Sequence, residues 1–152
     1  MVLQRLQSVY LLIAAVVMAV YAFVSQCAVT VGDKVYLVGM TGVKDAGSAS
    51  GIVDGGFLWA FFAVTILIAI LAIVTIFQYK NLGRQRSLCK VGVVLTLALA
   101  VSLAIEGAVV ECDSITPSLY NLLPLVAVVM FVLAGRGIRK DQKILSSYDR
   151  IR

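Results

Sequence analysis

The sequence predicts an all-α membrane protein: a four-transmembrane-helix bundle with a short outer β-hairpin and a basic C-terminal amphipathic helix. Three observations predict it. The 152 residues are 61% hydrophobic and 14% charged, against about 45–50% and about 25% in an ordinary soluble domain. The apolar residues are gathered into four long runs rather than spread along the chain, the pattern of helices that cross a bilayer. The basic residues fall almost wholly on one side of those runs, as the positive-inside rule describes.

A hydrocarbon core about 30 Å thick needs about 20 helical residues. Residues 8–26 and 57–77 carry no charge, and residues 91–110 carry one, Glu106. Residues 119–135 are shorter and hold Asn121 and Pro124, yet their apolar content is still high, and a short or kinked span is tolerable where neighbours cover the freed backbone. The four spans make one domain over residues 1–152. The first run follows Arg5 and precedes "VSQC" at 24–27. A lipoprotein cleavage box wants a small residue before the cysteine, and Gln26 is not small, so an uncleaved anchor is expected.

Eleven of the 13 Lys and Arg lie before span one, between spans two and three, or after span four; Lys34 and Lys44 are the other two. Both termini are therefore expected in the cytoplasm. This asymmetry accounts for most of the net charge of +5 and the pI near 9.3, and no nucleic-acid partner is expected. In the closing "RGIRKDQKILSSYDRIR", Ile144, Leu145, Tyr148 and Ile151 recur at helical spacing among charges. That is the pattern of an amphipathic helix lying along the inner leaflet. Arg84, Arg86, Arg136, Arg139, Lys140 and Lys143 are the expected membrane-surface residues, each gaining about 1 kcal/mol beside anionic headgroups. The segment "YKNLGRQRSLCK" is read as an inner loop held by the same attraction.

Outside the bilayer, "VTVGDKVYLV" alternates apolar and polar around Gly32-Asp33 and reads as a short β-hairpin. The following "TGVKDAGSASGIVDGG" reads as a flexible linker, with no Gly-Lys-Ser/Thr phosphate loop. Cys27 ends span one and Cys112 ends span three, at matching depth. They are a candidate disulfide pair if the two helix ends are neighbours; two unpaired small apolar residues is the other reading. Cys89 is expected to stay reduced in the inner loop.

There is no histidine and no Cys-x-x-Cys pair, which removes the usual general base and a disulfide-oxidase motif. No metal or other cofactor is expected. An ionisable residue inside a span is by default a functional candidate, and Glu106 is the one here. It lies six residues before Cys112, about 9 Å along the axis. Tyr21 is expected at similar depth, and Asn121 is a further candidate hydrogen-bond partner. The functional reading is a proton or cation site; the structural one is a hydrogen bond or a carboxylate reaching the headgroups.

Gly92, Thr96, Ala100, Ala104 and Ala108 form an i, i+4 series of small residues in span three, and Ala15, Ala19 and Ala22 do something similar in span one. Small residues let helices approach closely in lipid. Ala104 and Glu106 lie about 200° apart around the helix, so their faces meet different neighbours: another helix, lipid, a second copy or a partner protein. Trp59, Tyr10 and Tyr79 suit interfacial belts.

Three stretches, "LQRLQSVYLLIAA", "AIVTIFQYKNLGRQRSLCKV" and "LPLVAVVMFVLAGRGIRKDQKILSSYDRIR", carry a family resemblance. Through them the chain resembles the domain of unknown function 4293 family, small four-span inner-membrane proteins of the Bacteroidota. The resemblance covers nearly the whole length and implies location and architecture: a bacterial cytoplasmic membrane with a periplasm outside. It implies no catalytic residues. The function expected is that of a non-enzymatic accessory subunit or scaffold, with a small transporter or channel using Glu106 as the alternative.

Overall fold

The computed structural model describes residues 2–31, 34–45, 58–79, 81–109 and 114–149. Along the chain it forms α1 (Val2–Phe23), β1 (Ser25–Val31), β2 (Lys34–Gly39), β3 (Gly42–Asp45), α2 (Leu58–Phe77), α3 (Leu82–Val109), β4 (Ser114–Pro117), a 3-10 turn (Leu119–Leu122) and α4 (Leu123–Asp149). Four helical stretches are long and apolar enough to cross a membrane: Leu6–Phe23, Leu58–Phe77, Leu82–Ala104 and Leu119–Ile144.

The helices neighbour one another in chain order around a ring, α1 on α2, α2 on α3, α3 on α4, and α4 back on α1. Each buries a seam of residues spaced alternately three and four apart. The seams are Gln7, Leu11, Ala14, Met18 and Tyr21 in α1; Thr65, Ile68, Ala72 and Thr75 in α2; Gln85, Cys89, Gly92, Thr96 and Leu99 in α3; and Pro124, Ala127, Phe131, Ala134 and Ile138 in α4. A mean spacing of 3.5 residues keeps a seam facing its partner along the whole helix. Small residues recur in every seam, so backbones come close, and the Phe131 ring fills the space between α3 and α4. A Cβ built on Gly92 would lie 2.7 Å from Cε1 of Phe131. Glycine at 92 is therefore the space the Phe131 ring occupies.

The buried threonines turn their hydroxyls back to their own helices, Thr65 reaching the Met40 sulfur as well. Thr65, Thr75 and Thr96 donate to the carbonyls of Phe61 (2.8 Å), Leu71 (2.6 Å) and Gly92 (2.7 Å) in their own helices. Each satisfies its polar atom four residues back, a bond the helix tolerates at small cost.

A four-stranded antiparallel sheet in the order β3-β2-β1-β4 closes one end of the bundle. The expected hairpin is β1 and β2, with Val29 opposite Tyr36 and Thr30 opposite Val35; its Gly32-Asp33 turn lies outside the described residues. The structure adds two strands. Residues 42–45, expected as the start of a flexible linker, form β3, because Gly42 at φ 133° lets the chain reverse after Met40 and Thr41 and pair Val43 with Val38. The remainder of the expected linker lies outside the described residues. β4 pairs Ile115 with Val29 and Ser114 with Thr30, so the chain re-enters the sheet between α3 and α4.

The sheet is pinned to the helices at two points. Met40, 1% exposed, enters the core cluster, and its Sδ lies 3.2 Å from Thr65 Oγ1. Gln26 sits at the irregularity between Ser25 and Cys27 in β1, where a bulge turns a side chain off the strand's alternation. Its Nε2 donates to the Tyr21 carbonyl (3.1 Å), an end carbonyl of α1, and its own carbonyl accepts from Ser118 N (3.0 Å). This is why the first helix stops at Phe23, short of the expected residue 26.

Three further expectations are corrected. Pro124 does not shorten the fourth helix: it occupies the first turn of α4, which runs on to Asp149, and an N–H there has no intrahelical acceptor to lose. The basic tail does not form a separate surface helix either. It continues α4 without a break to Asp149, packing Ile138 into the core. Likewise Arg84, Arg86 and Cys89 stand in the first turns of α3, not in a loop.

Candidate functional site

Two regions gather polar groups. At the sheet end, Tyr21 is buried in the α1 seam, and Trp59, Phe62 and Phe23 meet edge to face, with ring centroids 5.7 Å apart for Trp59–Phe62 and 5.6 Å for Phe23–Phe62. Asn121 is exposed in the 3-10 turn before α4, its backbone N–H bonded to the Ser118 carbonyl (3.1 Å). It therefore stands outside the packed interior that holds Tyr21. Glu106 falls within α3, but its side chain lies outside the described residues, as does Cys112. The geometry described is thus that of Tyr21, Asn121 and Cys27, the last in β1 opposite Pro117 of β4. Among the described residues no group of three or more His, Cys, Asp or Glu forms a metal site.

The opposite end of the bundle is the second region. Gln7 and Gln85 are both 3% exposed there, level with the cationic turns of α3 and α4. Gln7 Nε2 donates to Asp141 Oδ2 at 2.6 Å, an ionised acceptor in a partly dry setting, which is the stronger class of hydrogen bond. The bond needs Gly137: a Cβ there would lie 2.9 Å from Cγ of Gln7. Sequence reading missed Gln7, Gln85, Gly137 and Asp141. Gln7 precedes the first uncharged run, 8–26, and so falls outside a span defined by apolar length. The signal was present in its spacing, four before Leu11 and seven before Ala14.

Arg136, Arg139, Lys140 and Lys143 are exposed on α4, as are Arg84 and Lys90 on α3, while Arg86 is half-buried. On α4 the four cations follow i, i+3, i+4, i+7 spacing and so share one face. That face continues the exposed apolar ridge of Val129, Val132 and Leu133. Of the small-residue series, Gly92 and Thr96 are buried, Ala100 is half-buried and Ala104 exposed; the side chain of Ala108 lies outside the description. The cause is geometric. A strict i+4 row drifts about 40° per step around the helix, whereas the buried seam alternates three and four and passes from Thr96 to Leu99.

Residues 3–151 match the family described as Domain of unknown function (DUF4293). No curated protein and no solved structure matches the chain.

Proposed function

The chain belongs to the family of Domain of unknown function (DUF4293), and from that premise we propose that it is a non-enzymatic component of a bacterial inner membrane, an accessory subunit or scaffold. The bundle spans the bilayer with the sheet outside and both termini in the cytoplasm. Charge supports this placement: Lys34 and Lys44 belong to sheet strands, and Arg84, Arg86, Arg136, Arg139, Lys140 and Lys143 to the opposite end.

One observation carries the functional reading. The bundle centre is built for packing: the ring of Phe131 fills the space over Gly92, and the buried threonine hydroxyls bond carbonyls of their own helices. These three interior hydroxyls are thereby committed to the fold, as suits a component that presents surfaces to others.

Cross-linking in native membranes, followed by mild-detergent purification and mass spectrometry, tests it. A stoichiometric partner that persists is the expected result. Recovery of the chain alone, or only as a defined homo-oligomer, would overturn the subunit reading and turn attention to transport, with Glu106→Gln and a flux assay as the next step.

A further inference from the structure

The exposed ridge of α4 changes character once. Val129, Val132 and Leu133 are exposed and apolar; one turn on, Arg136, Arg139, Lys140 and Lys143 are exposed and cationic. Because α4 runs unbroken through this point, the ridge stands along the bundle axis instead of lying across it. From Arg136 to Lys143 it rises about 10 Å, somewhat more than the headgroup layer of one leaflet, about 5–7 Å.

α3 supplies a second set of cations at the same level. The contacts of Gly92 with Phe131 and of Gly135 with the Cys89 Cβ, 3.7 Å from a Cβ built on the glycine, fix the antiparallel register of α3 and α4. Continued by one turn, that register sets Arg86 level with Ile138, and Arg84 level with Lys140. The carboxylate at this height, Asp141, is turned away from the ridge to Gln7, 2.6 Å from its amide nitrogen. The fold thus keeps its own acid off the cationic face.

We infer that the α3–α4 edge is a binding site for an anionic phospholipid, with acyl chains along Val129, Val132 and Leu133 and the phosphate held by Arg136, Arg139 and Lys140 with Arg84 beside them. The inference rests on the membrane placement proposed above. It goes beyond diffuse attraction to an anionic leaflet, because the apolar and cationic halves lie on one ridge in the order and spacing of an amphiphile. Arginine adds forked donation to phosphate oxygens, which a point charge lacks.

The full chain, purified in an uncharged detergent, is offered phosphatidylglycerol or phosphatidylcholine, and retained lipid is counted by native mass spectrometry. The expected result is retention of phosphatidylglycerol near one per chain, with phosphatidylcholine lost. The variant R136Q/R139Q/K140Q should lower the preference roughly a hundredfold, about fivefold per cation. The charge-matched R5Q/R150Q/R152Q should keep it. Equal retention of the two lipids, or equal loss in both variants, overturns the inference. Should the first variant not fold, the thermal midpoint of the unaltered chain decides: phosphatidylglycerol must raise it more than phosphatidylcholine does, and equal effects reject the site. Alkaline carbonate extraction of native membranes separates the two readings. A chain that is extracted fails the membrane placement itself, whereas one that is retained but shows no lipid preference fails only this site.

Discussion

Substituting Gly92 by alanine puts a methyl group where Phe131 already is. The new Cβ would lie 2.7, 2.9 and 3.0 Å from three ring carbons, against about 3.5–4.0 Å for carbons at rest. Phe131 is 0% exposed and walled by the core cluster, so the ring cannot swing out of the way. Overpacking of this kind costs about 1–3 kcal/mol. Alanine recovers about 1 kcal/mol of helix propensity over glycine, which leaves a net loss of about 0–2 kcal/mol. Unfolding in detergent, followed by circular dichroism against a denaturant or temperature, measures it. Two further variants make the reasoning strict. Gly83→Ala, also in α3 but with no atom within 4 Å of the added Cβ, should be neutral or stabilising by up to about 1 kcal/mol. Phe131→Leu should make Gly92→Ala cheaper, with a coupling energy of about 1–2 kcal/mol in the double-mutant cycle. A Gly92→Ala chain as stable as Gly83→Ala, or additive effects in the cycle, would refute the packing described for the α3–α4 seam.

Three other outcomes follow from the same geometry. Met40→Ala should cost about 2–5 kcal/mol through the cavity left in the core, seen as faster proteolysis between α1 and α2 than in the unaltered chain. Asp141→Ala strands the buried Gln7 amide and should cost about 1–3 kcal/mol; Asp141→Asn keeps an acceptor oxygen and should restore most of it, by thermal midpoint in detergent. Gly42→Ala forces a β-carbon onto a backbone with φ 133°, at about 1–3 kcal/mol, and hydrogen exchange of the β2–β3 amides should quicken while that of the helices does not.

What the sequence made legible was whatever a run of residues determines locally. Helix α2 begins within one residue of its expected start because nothing but apolar length defines it. The β1–β2 hairpin was visible because its partners adjoin along the chain. β4 was not, since "SITP" becomes a strand only by meeting Cys27 to Thr30 from across the molecule. The tail looks like a separate helix in the sequence because charge begins at Arg136, yet helical hydrogen bonding is indifferent to side-chain polarity. The flanking Gly135 and Gly137 weaken that stretch by only about 1 kcal/mol each, and Gly137 is needed there by Gln7. Of the candidate residues, Gly92 and Thr96 stand on the α3 seam. Ala104 does not, since an eye for fixed spacing follows a row that the helix itself rotates out of register.

The ring of helices closes between its first and last members, and that has a consequence for synthesis. α1 can rest on α2, and α2 on α3, as each leaves the ribosome in turn. The Gln7–Asp141 bond, by contrast, joins residues 134 positions apart, and β1 has no partner on its second edge until β4 arrives. A nascent chain therefore carries an open strand edge at one end until β4 is made and an unsatisfied glutamine at the other until α4 is made. The strand edge is relieved first by β4 and the glutamine afterwards by α4, so a chain cut before β4 is unfinished at both ends, and one cut between β4 and Asp141 at one end alone.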